Sequence, residues 1–150
     1  MSQISLPNGR VLMDVLKLTP ERLWSGSKIA LPLSFVRILL NLAISQLPFD
    51  EEFYMAMYPD LAAAHNTGQI SDLKTHFAEQ GYFEGRFGIR PSVDEEFYKK
   101  TYRDVADAVD LGQLSSGYDH YVKIGASEGR FANAEEMTAL QSWLDVLNIN

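Results

Sequence analysis

The chain has no cysteine. Disulfides, thiolate metal sites and cysteine nucleophiles are therefore excluded, and the composition fits a reducing compartment. Basic residues are scarce as well: 13 Lys and Arg stand against 20 Asp and Glu, for a net charge of -7. Nucleic-acid binding needs phosphates neutralised by Lys and Arg, so no nucleic-acid partner is expected, and attraction to an anionic membrane surface is disfavoured for the same reason. The three histidines lack His-x3-His or Glu-x2-His spacing, so no metal ligands are assigned. Dinucleotide and phosphate-loop glycine patterns, the zinc-protease helix and the calcium loop are all missing. No catalytic residue and no cofactor is assigned, and enzymatic activity is not expected.

Long apolar runs are nearly missing too. The one candidate, Ile29–Leu47, is interrupted by Pro32, Arg37 and Asn41 and is followed at once by Asp50, Glu51 and Glu52. An arginine in the middle of a span costs a few kcal/mol. The segment therefore reads as a buried or partner-facing helix over Ser34–Gln46, with Ser34 as N-cap. No membrane span is expected. The first eighteen residues lack the basic start and continuous apolar core of a secretory leader, so a cytoplasmic location is expected, peripheral at most to an inner-membrane assembly.

What the chain does have is a phrase stated twice. Asp50-Glu51-Glu52-Phe53-Tyr54 returns as Asp94-Glu95-Glu96-Phe97-Tyr98, His76-Phe77 as His120-Tyr121, and Glu84-Gly85-Arg86-Phe87 as Glu128-Gly129-Arg130-Phe131. Every pair is offset by 44 without a gap, and 18 of the 38 positions from 50 to 87 are identical at 94–131. A repeat of this length is one supersecondary unit that buries its apolar face against a neighbour. With 46% hydrophobic residues and 17 aromatics (8 Phe, 7 Tyr, 2 Trp), the chain can fill a core without staples.

The expected fold is mainly α: two tandem helical repeats (50–93 and 94–131), preceded by an N-terminal segment 1–49 and followed by a C-terminal capping helix within 132–150. Each repeat reads as three short helices. Asp50 and Asp94 cap the first, with acidic pairs in its opening turn where the helix dipole favours them. Pro59 begins the second, Pro59–Asn66, which Gly68 and Gly112 stop. The third opens at Ser71 or Ser115 and ends at Gly81 or Gly125. Gly85 and Gly129, between two charges, suit a positive φ. Ala134–Leu147 forms a last amphipathic helix. In the N-terminal segment, Ile4-Ser5-Leu6 and Val11–Leu18 flank Pro7-Asn8-Gly9, a hairpin signal, although Val11, Leu12, Val15 and Leu16 also suit a helix. Thr19 caps a short turn starting at Pro20.

The repeated polar residues have a structural reading beside a functional one. His76 and His120 are expected to hold a backbone carbonyl or carboxylate. Arg86 and Arg130 could take an anionic ligand, or pair with an acidic residue of their own unit. The acidic pairs do not converge, because neighbours on a helix point about 100° apart. Tyr82, Phe83 and Tyr118 are unmatched between copies and so are better candidates for a specific contact. The candidate contact residues are Phe35, Ile38, Leu39, Leu42, Tyr82, Phe83, Arg86, Tyr118 and Arg130.

The phrase Tyr58-Pro59-Asp60-Leu61-Ala62-Ala63-Ala64, followed by His76-Phe77 and Gly81-Tyr82-Phe83-Glu84-Gly85-Arg86, resembles a bacterial repeat of the type FDxxYYLxxYPDVAAA…HYxxxGxxEGR. That repeat occurs beside glycosyltransferase domains and in surface-polysaccharide-associated proteins. The second copy departs at Arg103, Val105, Ala126 and Ser127. The resemblance implies an accessory module near exopolysaccharide or cell-envelope glycan production, without catalytic residues. The expected function is therefore a non-enzymatic scaffold that contacts other polysaccharide-synthesis proteins and itself, as a homo-oligomer. The alternative is a glycan-binding module with two related sites.

Overall fold

A computed structural model describes residues 7–25 and 28–147. It is mainly helical, with no strand among the described residues. The helices are α1 (Gly9–Leu16), α2 (Pro20–Leu23), α3 (Leu33–Ile44), α4 (Glu51–Met57), α5 (Pro59–Asn66), α6 (Leu73–His76), α7 (Glu95–Thr101), α8 (Arg103–Asp110), α9 (Gly117–His120) and α10 (Ala134–Leu147). Helices α6 and α9 run straight on into π-helical turns, Phe77–Gly81 and Tyr121–Gly125.

The expected N-terminal hairpin is not formed over the described residues. Val11–Leu16 lies in α1, whose start is fixed by Asn8: its side chain accepts a hydrogen bond from the Arg10 N–H. The 3.6-residue spacing of Val11, Leu12, Val15 and Leu16 prevails over the Asn-Gly turn signal. Ile4, Ser5 and Leu6 lie outside the described residues. Thr19 caps α2 with Pro20 at its first position. Helix α3 is capped two residues before the expected Ser34: it starts at Leu33, with Pro32 as N-cap and no side-chain cap bond. Pro32 presets the φ of the helix entry, so the serine hydroxyl is not needed.

Many residues 44 apart make the same contacts. Asp50 and Asp94 each accept a bond from the N–H three residues on, Phe53 and Phe97. Helices α5 and α8 both end in the paired bonds of a Schellman turn. Gln69 N–H reaches the Ala64 carbonyl and Gln113 N–H the Ala108 carbonyl, with Gly68 and Gly112 at φ 74° and 69°. Asp72 and Ser116 cap the third helices, one residue later than expected. The chain then returns to its start: Asp50 N–H donates to the Gly88 carbonyl and Asp94 N–H to the Ala132 carbonyl.

Each stretch has its own core. Tyr54, Leu61, Leu73, Phe77 and Ala78 form the first, which also takes in Ile44 from α3. Tyr98, Val105, Tyr121 and Ala132 form the second, against which Phe87 from the end of the first stretch packs. Ile44 and Phe87 thus do the same job, each sealing the unit that follows it. Helix α10 is joined through its first turn: Asn133 caps Glu136, whose carboxylate accepts from the Ala132 N–H at 2.7 Å. Beyond that turn α10 buries no residue.

Candidate functional site

The repeated histidines are held by tyrosines and not by the expected carbonyl or carboxylate. His76 Nδ1 and the Tyr54 hydroxyl share a hydrogen bond of 3.2 Å, and His120 Nδ1 and the Tyr98 hydroxyl one of 3.0 Å. Both tyrosine rings are fully buried. Burial pushes each hydroxyl up to about 12, because an enclosed phenolate loses its water. Gly81 and Gly125 are the last helical residues, as expected, and they also make room for a hydroxyl: a Cβ on either would run into that of Tyr54 or Tyr98 respectively. The π turns close there, with Tyr82 N–H donating to the Phe77 carbonyl and Ala126 N–H to the Tyr121 carbonyl. Four residues later, at the end of the following turn, Gly85 and Gly129 have φ values of 75° and 74°, which match the expected left-handed conformation.

Two further tyrosines tie the unit's end to its beginning. The Tyr58 hydroxyl accepts from the Phe87 N–H and the Tyr102 hydroxyl from the Phe131 N–H, both at 2.8 Å. Arg86 and Arg130 lie over the Tyr58 and Tyr102 rings, at 4.8 Å and 4.9 Å, and pair with acids of their own unit. Arg130 grips Asp104 with both arms at 2.7 and 3.0 Å and Glu128 at 2.7 Å. That grip holds the Asp104 carboxyl below its ordinary range and raises Arg130 further. Arg86 makes the same bond to Glu84 at 2.8 Å but reaches Asp60 with one arm only, at 3.4 Å. Among the described residues its Nη1 has no hydrogen-bond partner.

That looser arginine borders a groove between the two units, about 370 Å³ in volume, with Tyr58, Arg86 and Phe87 on one side and Val122, Lys123 and Ala126 on the other. Lys123 is paired with Asp119 at 2.8 Å. With Glu84, Asp60 and Asp119 beside Arg86 and Lys123, the local charge is not positive, so the groove is not built to attract an anion.

The candidate contact residues scatter. Phe35, Ile38 and Leu42 are half-buried along α3, and Leu39 is exposed. Asn41, with its amide oriented to suit its neighbours, donates to the Ala78 carbonyl and so binds α3 to the first π turn. Tyr82 and Phe83 are exposed and stacked edge to face at 5.6 Å. Tyr118 is half-buried beneath Arg90. Only Arg86 reaches the groove, and Arg130 sits in the second unit, 44 positions on. Three features went unread in the sequence: the tyrosine partners of the histidines, the Asp60 and Asp104 partners of the arginines, and Glu95. The Glu95 carboxylate accepts from the N–H groups of Gly117 (2.9 Å) and Tyr118 (2.7 Å). The signal for the first two was present, since Tyr54, Tyr58 and Asp60 recur unchanged as Tyr98, Tyr102 and Asp104.

Among the described residues, no group of three or more His, Asp or Glu is placed to hold a metal ion, and no helix is long and apolar enough to cross a membrane. No protein-family model, curated protein or solved structure matches the chain.

Proposed function

We propose that this protein is a non-enzymatic scaffold that acts through protein–protein contact, including contact with its own copies. The observation that carries this reading is the division of labour between its residues. The polar side chains present in both units, His76 and His120, Arg86 and Arg130, are spent on internal bonds. Helix α3 meanwhile uses Ile44 and Asn41 to hold the first unit and leaves Leu33, Leu39 and Leu40 in water. Exposed leucines on a helix already anchored at one side suit a contact surface. The resemblance of the repeat to modules found beside glycosyltransferases supports bacterial exopolysaccharide or cell-envelope glycan production as the setting. In that setting the scaffold would hold synthesis proteins in a defined arrangement.

The test is size-exclusion chromatography with light scattering on the wild type and on Leu33→Glu/Leu40→Glu. The expected result is an oligomer that the double variant converts to monomer with its unfolding midpoint unchanged. A wild type that is strictly monomeric at all concentrations would remove the self-association part of the reading.

A second reading, a glycan-binding module, is favoured by one feature: the groove between the units, with Arg86 Nη1 open to a ligand oxygen. The groove needs a following unit to form its far wall, so this reading has one site and not two. Titration of neutral and acidic glucans against tyrosine fluorescence, with Arg86→Gln as control, tests it. No change up to millimolar sugar would dispose of it.

A further inference from the structure

The net charge of -7 conceals a sharp division. Through residue 47 the chain carries five basic residues, Arg10, Lys17, Arg22, Lys28 and Arg37, against two acidic ones, Asp14 and Glu21; this part is therefore +3 and the remainder -10. Helices α1 and α2 lie in the basic part, and neither buries a residue. At 100° per residue Val11, Leu12, Val15 and Leu16 share one broad side of α1, while Arg10, Asp14 and Lys17 share the narrow opposite side. Val11 and Val15 are exposed, Leu23 follows at the end of α2, and Trp24 beside it is 84% exposed. Arg22 and Lys28 flank that indole in sequence.

We infer that the α1–α2 segment is an interfacial anchor that lies flat on an anionic lipid bilayer. The apolar side of α1, with Leu23 and Trp24, enters the boundary between headgroups and acyl chains. Arg10, Lys17, Arg22 and Lys28 remain at the headgroup level, where long basic side chains reach lipid phosphates. Tryptophan is at home at this depth, its ring apolar and its N–H wet. The occupant is chosen by charge. An anionic surface attracts the +3 part and repels the -10 remainder, which orients the molecule with its helical units facing the water. No described helix is long enough to cross the bilayer, so the segment rests on the membrane. This inference does not depend on the scaffold reading, since it uses residues other than the exposed leucines of α3.

The experiment is flotation of the full chain with phosphatidylcholine vesicles, alone or with about one third phosphatidylglycerol, at low and at physiological salt. A Trp143→Phe background assigns tryptophan emission to Trp24. The expected result is binding to the anionic vesicles only, weakened by salt, with a blue shift of the Trp24 emission. Arg10→Gln and Arg22→Gln should each lower partitioning about fivefold, as one basic residue contributes at such a surface. Val11→Asp/Val15→Asp should abolish it. Circular dichroism of these variants should match the wild type, because Arg10, Val11, Val15 and Arg22 are all exposed. Equal binding to both vesicle types, or no binding and no blue shift, would overturn the inference. So would an Arg22→Gln variant that changes the oligomeric state and leaves vesicle binding untouched, for then the basic segment docks on the acidic units of a second copy.

Discussion

The hydroxyl of Tyr98 occupies the space that a side chain on residue 125 would need, which is why Gly125 is a glycine. The same relationship holds between Tyr54 and Gly81. The absent methyl lets the hydroxyl reach the histidine on the adjoining turn, so one vacancy supports a buried hydrogen bond in each unit.

Gly125→Ala is expected to destabilise the protein by about 1–3 kcal/mol through overpacking. Tyr98→Phe removes the atom in the way, so the double variant should lose less than the sum of the two single ones. Urea unfolding of the four proteins in a double-mutant cycle measures this coupling.

Tyr98→Phe alone leaves the Nδ1 of a buried His120 without its partner. The expected cost is about 1–3 kcal/mol. Tyr54→Phe should cost less, because His76 is only half-buried and water can replace the hydroxyl. Equal losses in the two units would contradict this account.

Tyr54, Tyr98 and Tyr121 all have hydroxyls pushed up to about 12, in each case by burial first. The folded value lies above the unfolded value of about 10. Their contribution is therefore complete below pH 10 and is lost as pH rises toward 12. Tyrosinate absorbance should show these three titrating together with unfolding.

Asp104 moves in the opposite direction, held down by the fork of Arg130. Its contribution is present above pH 4 or so and disappears as the carboxyl is protonated at lower pH. Asp104→Asn should lower the melting temperature at neutral pH more than Asp60→Asn, whose partner reaches it with one arm at 3.4 Å. The two variants should converge with the wild type in acid.

Glu95 and Glu51 occupy the same place in the two copies, yet only Glu95 is printed into the fold by two backbone N–H bonds. Glu95→Ala is expected to cost about 1–2 kcal/mol, like the loss of a helix cap, and Glu51→Ala less than about 0.5 kcal/mol. Chemical denaturation of the pair is the measurement. Gly117 makes the difference: a Cβ there would lie 2.9 Å from the Glu95 carboxylate, and the first unit has the buried Leu73 at that position.

The 44-residue offset and the local chemistry of caps and stops were enough to fix the helical character of the chain before any coordinates. Asp50, Asp94 and Pro59 start helices, and Gly68, Gly85, Gly112 and Gly129 adopt positive φ, because these effects act within one turn of the residue concerned. The bounds of α5 and α10 were readable for the same reason. Tertiary structure alone decided which residues meet over longer distances: Tyr54 with His76 and Tyr98 with His120, 22 positions apart, and Arg130 with Asp104, 26 apart. It also decided that Gly81 and Gly125 make room for a hydroxyl and that Glu95 caps a helix where Glu51 does not. Composition and periodicity specify which side of a helix is apolar. Which atoms share that side depends on how two helices pack, and a single substituted volume, glycine for leucine at residue 117, changes the answer between otherwise matching units.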